Sequence, residues 1–67
     1  MNKEYKMKEE YKGTYLEALI NEYNKVMNDP YYFDRVGTKT GLNNIKSLRI
    51  EIAEVRKQMK REGKIKG

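Results

Sequence analysis

The sequence predicts an all-α fold, an antiparallel hairpin of two amphipathic helices with a third short N-terminal helix as an option. Two stretches carry apolar residues at helical spacing, and the segment between them contains proline and glycine. No stretch alternates apolar and polar residues over enough positions to favour a sheet. Helices joined by a short connection favour antiparallel neighbours. With 67 residues, the chain makes one small domain with a marginal core.

Residues 1–13 form a charged lead-in that is expected to be either helical or flexible. Opposite charges four residues apart, as in Lys6 and Glu10, favour a helix. Isolated helices of this length are marginal in water, so the lead-in would need support from the rest of the protein. Gly13 interrupts the segment before the first amphipathic stretch begins.

The first long helix is predicted at residues 15–28. Thr14 and Glu17 match a capping box, in which the Thr hydroxyl accepts a backbone hydrogen bond and the Glu carboxylate returns one. Pro30 ends the helix, because it disfavours a helical conformation at Asp29 and has no backbone N–H to donate. The apolar face of this helix consists of Leu16, Leu19, Ile20, Tyr23, Val26 and Met27.

Residues 29–41 form the predicted connection between the two long helices. Gly37 and Gly41 are interpreted as marking a turn and a loop, because glycine is the strongest local interruption of regular structure. An alternative for the start of this segment is a short helical turn through residues 31–33, with Pro30 at its first position.

The second long helix is predicted at residues 42–62, and residues 64–67 are expected to form a basic tail. Gly63 is well placed to end this helix in a left-handed conformation. The apolar face of the helix consists of Ile45, Leu48, Ile52, Val55 and Met59. We expect the hairpin to be held together by Leu19, Ile20, Tyr23, Ile52 and Val55.

The chain carries a formal net charge of +5 and contains neither Cys nor His. The commonest nucleophile and general base are therefore missing, as are the soft metal ligands. We predict no enzyme activity, no catalytic residue, no metal site and no cofactor. A core this small is often stabilised by a partner, so binding is the expected kind of function.

The first candidate site is a protein interface formed by the aromatic part of the connection. Its members are Tyr31, Tyr32, Phe33 and Arg35. Aromatic and Arg side chains are enriched in the hot spots of protein interfaces. Two alternatives stay open: Phe33 and one Tyr fill the open end of the hairpin, or the rings stack on the bases of a single-stranded nucleic acid.

The second candidate site is a nucleic-acid-binding stripe on the second helix. Residues 38–67 contain nine Lys or Arg against three Glu. Several phosphate contacts along such a stripe would make binding steeply dependent on salt. The alternative is an ordinary solvated helix surface. The candidate residues are Lys46, Arg49, Arg56, Lys57, Lys60, Arg61 and Lys64.

Residues 40–56 resemble the turn and second helix of a ribosomal protein family. In this segment the residues TGLNN precede the helical stretch IKSLRIEIAEVR. This arrangement is similar to that of the bacterial large-subunit ribosomal protein twenty-nine family. The resemblance implies a two-helix hairpin that contacts ribosomal RNA near the exit tunnel, with Lys46, Arg49 and Arg56 as the contacting residues.

We predict a small interaction protein that docks on a larger protein or complex, as a regulator or inhibitor encoded by a phage or other mobile element. RNA or DNA is the alternative partner, through the C-terminal basic helix. Self-association into a four-helix bundle would enlarge the core, with Tyr15 and Ile50 at the seam. No apolar run approaches the roughly 20 residues that cross a bilayer, so no membrane partner is expected. The predicted location is the cytoplasm of the producing or host cell.

Overall fold

The computed structural model describes residues 4–66 and confirms the all-α fold. A single 3-10 turn spans Glu9–Tyr11, and three α-helices follow it along the chain. Helix α1 spans Tyr15–Met27, α2 spans Tyr32–Val36 and α3 spans Thr38–Arg61. No strand occurs in this described part of the chain.

Helices α1 and α3 pack side by side and run in opposite directions. At the start of α1, Tyr15 lines a surface depression together with Val55 and Met59. At the end of α1, Val26 lines another depression together with Leu48. The first turns of α1 therefore lie beside the last part of α3, and the hairpin is antiparallel. Because α3 has 24 residues and α1 has 13, a large part of α3 extends beyond its neighbour.

The core lies between α1 and one stripe of α3. Leu16, Ile20 and Ile52 are completely buried, and full burial of such a side chain contributes about 1.5–3 kcal/mol. Val55 packs against them as a half-buried side chain. The buried cluster as a whole consists of Tyr11, Leu16, Leu19, Ile20, Tyr23, Ile52, Met59 and Ile65. All five side chains expected to hold the hairpin lie in this cluster or against it.

The start of α1 differs from the predicted capping box. Thr14 precedes the helix in an extended conformation, but its hydroxyl donates to the Tyr11 carbonyl at 2.6 Å and caps no helical N–H. The Glu17 carboxylate accepts from the backbone N–H of Gly13 at 3.0 Å, one residue before the expected donor. The preceding 3-10 turn brings the Tyr11 carbonyl within reach of the Thr14 hydroxyl. The hydroxyl therefore donates to this carbonyl instead of accepting from an N–H of the first helical turn.

The connection between the long helices is shorter than predicted, because it contains α2 and because α3 begins at Thr38 rather than at residue 42. Gly37 separates the two helices with a φ of +87°, a conformation that favours glycine. The interpretation of Gly41 as a loop residue is wrong, since Gly41 lies within α3. A Cβ on Gly41 would lie 2.6 Å from Cδ1 of Phe33, so this glycine permits a close approach of the ring.

The lead-in is neither a docked α-helix nor a free arm over its described residues. The Asn24 side-chain amide accepts a hydrogen bond from the Tyr5 N–H and donates one to the Tyr5 carbonyl, each at 2.9 Å. The Tyr5 ring lies edge-on to the Tyr23 ring, with 4.9 Å between centroids. The segment before the 3-10 turn is thus attached to α1 by two hydrogen bonds to the Tyr5 backbone and by an aromatic contact.

The C-terminal end of α3 forms the predicted glycine-based motif. The helix ends at Arg61, and Gly63 has a φ of +77°. The Lys64 N–H donates to the Met59 carbonyl at 2.8 Å, and the Gly63 N–H donates to the Lys60 carbonyl at 3.2 Å. These two bonds satisfy carbonyls that would otherwise lack partners at the helix end, as in a Schellman motif.

The segment after Gly63 is more than a basic tail. Ile65 is only 5% exposed and belongs to the core. The backbone N–H of Lys66 donates to a carboxylate oxygen of Glu10 at 2.9 Å. The last described residues therefore pack against the lead-in and close one end of the hairpin. The prediction of a tail overlooked Ile65 as a core residue, because a single apolar residue among lysines has no periodicity.

Candidate functional site

The predicted aromatic interface lies on α2, which is held by Asp29. One Asp29 carboxylate oxygen accepts from the backbone N–H of Tyr31 at 3.0 Å, and the other pairs with the guanidinium of Arg35. The hydrogen bond from Arg35 and then that from Tyr31 hold the pKa of Asp29 below its usual value. Arg35 is thus paired within the chain, while its side chain stays 59% exposed.

The aromatic residues of α2 have different environments. Tyr32 is 9% exposed, and its hydroxyl accepts from the side-chain amide of Asn44 at 3.0 Å. Phe33 packs edge-on against Tyr32 and close to Gly41, and it stays 40% exposed. Tyr31 is 65% exposed. Tyr32 therefore belongs to the packing between α2 and α3, and only Tyr31 and Phe33 of the predicted interface are accessible rings.

A second and larger surface lies on α3, on the side that does not pack against α1. Successive residues of an α-helix are rotated by about 100°, which places three apolar and five cationic side chains of the stretch from Leu42 to Lys60 within one third of the circumference. We call this surface the α3 docking face. Its apolar members are Leu42, Ile50 and Ala53. Its cationic members are Lys46, Arg49, Arg56, Lys57 and Lys60.

The α3 docking face contains two open depressions that meet at Ala53. The first, with a volume of about 620 Å³, is lined by Tyr5, Leu42, Ile45, Lys46, Arg49, Ile50 and Ala53. The second, with a volume of about 320 Å³, is lined by Ala53, Arg56, Lys57, Lys60 and Ile65. Because Ala53 lines both, the two depressions form one shallow groove along the helix.

The carboxylates of α3 lie away from this groove. Glu51 accepts a hydrogen bond from the Tyr15 hydroxyl at 2.9 Å, on the flank of the hairpin. This bond and the negative charge of Glu51 raise the pKa of Tyr15. Glu54 lines a different depression together with Lys57, Arg61 and Glu62, at the edge of the α3 docking face. The two depressions of the groove itself are lined by cations and apolar residues, and by no carboxylate of the described residues.

Two residues of the predicted nucleic-acid stripe lie off the α3 docking face. Arg61 is rotated by about 100° from Lys60 around the helix and lines the depression next to Glu62. Lys64 follows the end of α3, and its ammonium lies 3.4 Å from the Glu62 carboxylate. A hydrogen bond from Gln58 and then the contact with Lys64 lower the pKa of Glu62. The structure therefore brings together five of the seven predicted cations: Lys46, Arg49, Arg56, Lys57 and Lys60.

The two residues expected at a self-association seam line different depressions. Ile50 lies in the groove of the α3 docking face. Tyr15 lines a separate depression with Val55 and Gln58, on the flank where it bonds Glu51. Both side chains are exposed, and self-association through them stays a prediction.

Sequence reasoning missed Leu42 as a member of the site and assigned Ile50 to another role. Leu42, Ile50 and Ala53 follow one another at steps of eight and three, which is a helical spacing. The signal is hidden because the interpretation of Gly41 as a loop residue puts Leu42 at the helix start. Tyr5 could not be found, since its position in the groove depends on the distant Asn24.

The described residues contain no cluster of three or more Asp or Glu that could hold a metal ion. No helix of the described chain is both long and apolar enough to span a bilayer.

No protein-family model, curated protein or solved structure matches this chain. The resemblance of residues 40–56 to the ribosomal family therefore stays a prediction. Within the structure, Thr40 and Gly41 of that segment lie in α3 rather than in a turn.

Proposed function

We propose that this protein is a small helical binding module that docks on a larger protein through the α3 docking face. It acts by occupying a surface of its partner, as a regulator or inhibitor does, and not by catalysis. The observation that carries the proposal is the exposure of Leu42 and Ile50, at 55% and 54%, inside a groove bordered by cations.

The apolar content of the groove supports a protein partner. Protein interfaces combine a buried apolar centre with a polar rim. Full burial of a Leu or Ile side chain contributes about 1.5–3 kcal/mol, so covering the exposed halves of Leu42 and Ile50 contributes part of that amount for each. A phosphate backbone would contact the cations but would leave these two side chains without apolar contacts.

A binding role also suits the composition and size of the chain. With no Cys and no His, the sequence lacks the side chains most often used as nucleophile and general base. The core between α1 and α3 is small, and a partner that covers α3 would add buried apolar surface to it.

A second candidate function is nucleic-acid binding by the same helix. It is supported by the five cations that share one side of α3, from Lys46 to Lys60, around a groove whose described lining contains no carboxylate. This candidate predicts an affinity that falls steeply with salt, with a slope of about −0.9 for each phosphate contact on duplex DNA and about −0.7 on a single strand.

The experiment that tests the proposal is affinity capture with three versions of the tagged full-length protein. The wild type, Leu42→Ala/Ile50→Ala and Tyr31→Ala are incubated with cell extract treated with nuclease, at moderate salt. We expect one stoichiometric protein to be retained by the wild type and by Tyr31→Ala, and lost from the double variant. Alanine preserves the helix propensity at both changed positions.

Two results would overturn the proposal. Equal retention by the wild type and the double variant would remove the α3 docking face from the interface. Loss of all captured material after nuclease treatment would favour the nucleic-acid candidate.

A further inference from the structure

We propose that the occupant of the α3 docking face is an acidic amphipathic helix of the partner protein. This inference rests on the proposed function and specifies the chemistry and secondary structure of what the face binds. It follows from the charge, the length and the backbone of α3.

The distribution of side chains along the groove defines complementary positions on the partner. The apolar residues Leu42 and Ile50 lie toward its N-terminal end, next to the half-buried Ile45. The cations Arg56 and Lys60 lie toward its C-terminal end. Because Lys46 and Arg49 also flank the apolar residues of the first part, a complementary segment carries an apolar stripe with carboxylates on its flanks.

The groove has the length of a helix. From Leu42 to Lys60 the face extends over roughly 27 Å, at about 1.5 Å per residue. A partner helix of about 18 residues would cover this distance when laid along α3. Ala53, which lies where the two depressions meet, leaves room for close approach, because the separation of packed helices depends on the size of the side chains at the contact.

The backbone of α3 argues against an extended peptide as the occupant. One way in which an extended peptide obtains affinity is to pair its backbone with an exposed strand edge, and the described chain contains no strand. The backbone groups within α3 are bonded inside the helix. Recognition must then depend on side chains, as when an amphipathic helix places residues at i, i+3, i+4 and i+7 into a groove.

The charge of the face argues against a second copy of this chain. A two-fold symmetric contact would place the same patch against itself. Arg49, Arg56 and their cationic neighbours would then face like charges across the groove, whose described lining contains no carboxylate. Carboxylates of a different partner satisfy the same cations, so the charge favours an acidic helix from another protein.

The test uses three designed peptides of equal length as probes. The first is a helix with Leu at one face and Glu on both flanks. The second replaces every Glu by Lys, and the third keeps the Glu residues but replaces every Leu by Ser. Binding of each labelled peptide to the full-length protein is measured by fluorescence anisotropy, alongside a labelled RNA hairpin.

We expect measurable binding of the acidic Leu peptide and at least tenfold weaker binding of the other two. Arg49→Glu/Lys57→Glu should weaken the acidic peptide at least tenfold and improve the binding of the basic one. The matched control Lys25→Glu/Lys8→Glu makes the same change in net charge on exposed residues outside the face, and it should leave the preference intact. Circular dichroism verifies that every variant stays helical.

The inference is overturned if the acidic and basic Leu peptides bind equally, or if neither binds at about 1 mM. Equal binding of the Leu and Ser peptides would mean simple charge attraction and would also overturn it. Tighter binding of the RNA hairpin, or concentration-dependent dimerisation lost in Ile50→Ala, would identify a different occupant.

If the cellular partner is still lost from Leu42→Ala/Ile50→Ala but kept by Arg49→Glu/Lys57→Glu, the proposed function stands while the acidic helix is excluded.

Discussion

The Asn24 side chain holds the backbone of Tyr5 through two hydrogen bonds, accepting from its N–H and donating to its carbonyl at 2.9 Å each. A side-chain amide satisfies both backbone groups of one residue, much as a neighbouring strand would. The contact fixes the lead-in beside α1 and places Tyr5 at the wall of the α3 docking face. The shape of the groove therefore depends on a contact between residues that are far apart in sequence.

We predict that Asn24→Ala detaches the lead-in from α1. Two partly buried hydrogen bonds are lost, and the free energy of unfolding should fall by about 1–2 kcal/mol in urea titrations. Amide exchange at Tyr5 should accelerate at the same time. Asn21→Ala, at an exposed position of the same helix, is the matched control. Unchanged exchange at Tyr5 in Asn24→Ala would show that other contacts hold the lead-in.

Gly41 and Phe33 should show strong energetic coupling. Alanine normally stabilises a helix interior by about 1 kcal/mol relative to glycine, but here its Cβ would lie 2.6 Å from the Phe33 ring. We expect Gly41→Ala to stabilise the Phe33→Ala protein by less than about 1 kcal/mol, because Cε2 of Tyr32 would still lie 3.2 Å from the new Cβ, and to destabilise the wild type. A double-mutant cycle of urea unfolding measures this difference. Additive effects would contradict the close approach.

The hydrogen bond between Tyr15 and Glu51 predicts a dependence on alkaline pH. The pKa of Tyr15 is raised above its ordinary value of 10.0, first by this bond and then by the charge of Glu51. The stabilisation is therefore fully present below about pH 10 and is lost as the pH rises through the folded-state pKa. Glu51→Gln should bring the Tyr15 titration back toward its ordinary value, followed by NMR of the ring of Tyr15 because the chain contains six Tyr. Identical titrations of the two proteins would exclude the bond in solution.

Ile65 should contribute to stability despite its place near the C-terminus. The side chain is buried in the core, and replacement of a buried Ile by Ala typically costs about 2–5 kcal/mol. We expect Ile65→Ala to lower the thermal midpoint markedly. Lys66→Ala keeps the backbone bond to Glu10 and should change the midpoint little. Equal thermal midpoints for the two variants would show that the segment after Gly63 is a tail and that Ile65 does not contribute to the core.

Local sequence patterns predicted the parts of this fold that depend on neighbours along the helix. The apolar spacing in α1 and α3 correctly placed Ile20 and Ile52 in the core, and Gly63 ended α3 as expected. Gly41 was misinterpreted because a glycine required by the Phe33 ring has the same local signature as a glycine in a loop. Periodicity carries no information about such contacts between elements.

The candidate site was predictable to a similar degree. The cations from Lys46 to Lys60 were recognised because their spacing is helical. The hydrogen bond from Tyr15 to Glu51, on another side of α3, depends on how α1 packs against α3 and has no signal in the sequence. The aromatic interface was misjudged at Tyr32, whose burial depends on Asn44 and on the start of α3. In both cases the missing information concerned which surfaces the helices cover.

Lysine footprinting of the complex with the captured partner tests the role of the α3 docking face most directly. Acetylation rates of individual lysines are compared by mass spectrometry in the free protein and in the complex. Docking on this face predicts slower modification of Lys46, Lys57 and Lys60 in the complex, with Lys25 on α1 reacting at its free rate. Unchanged rates at the three α3 lysines, with protection elsewhere, would contradict it.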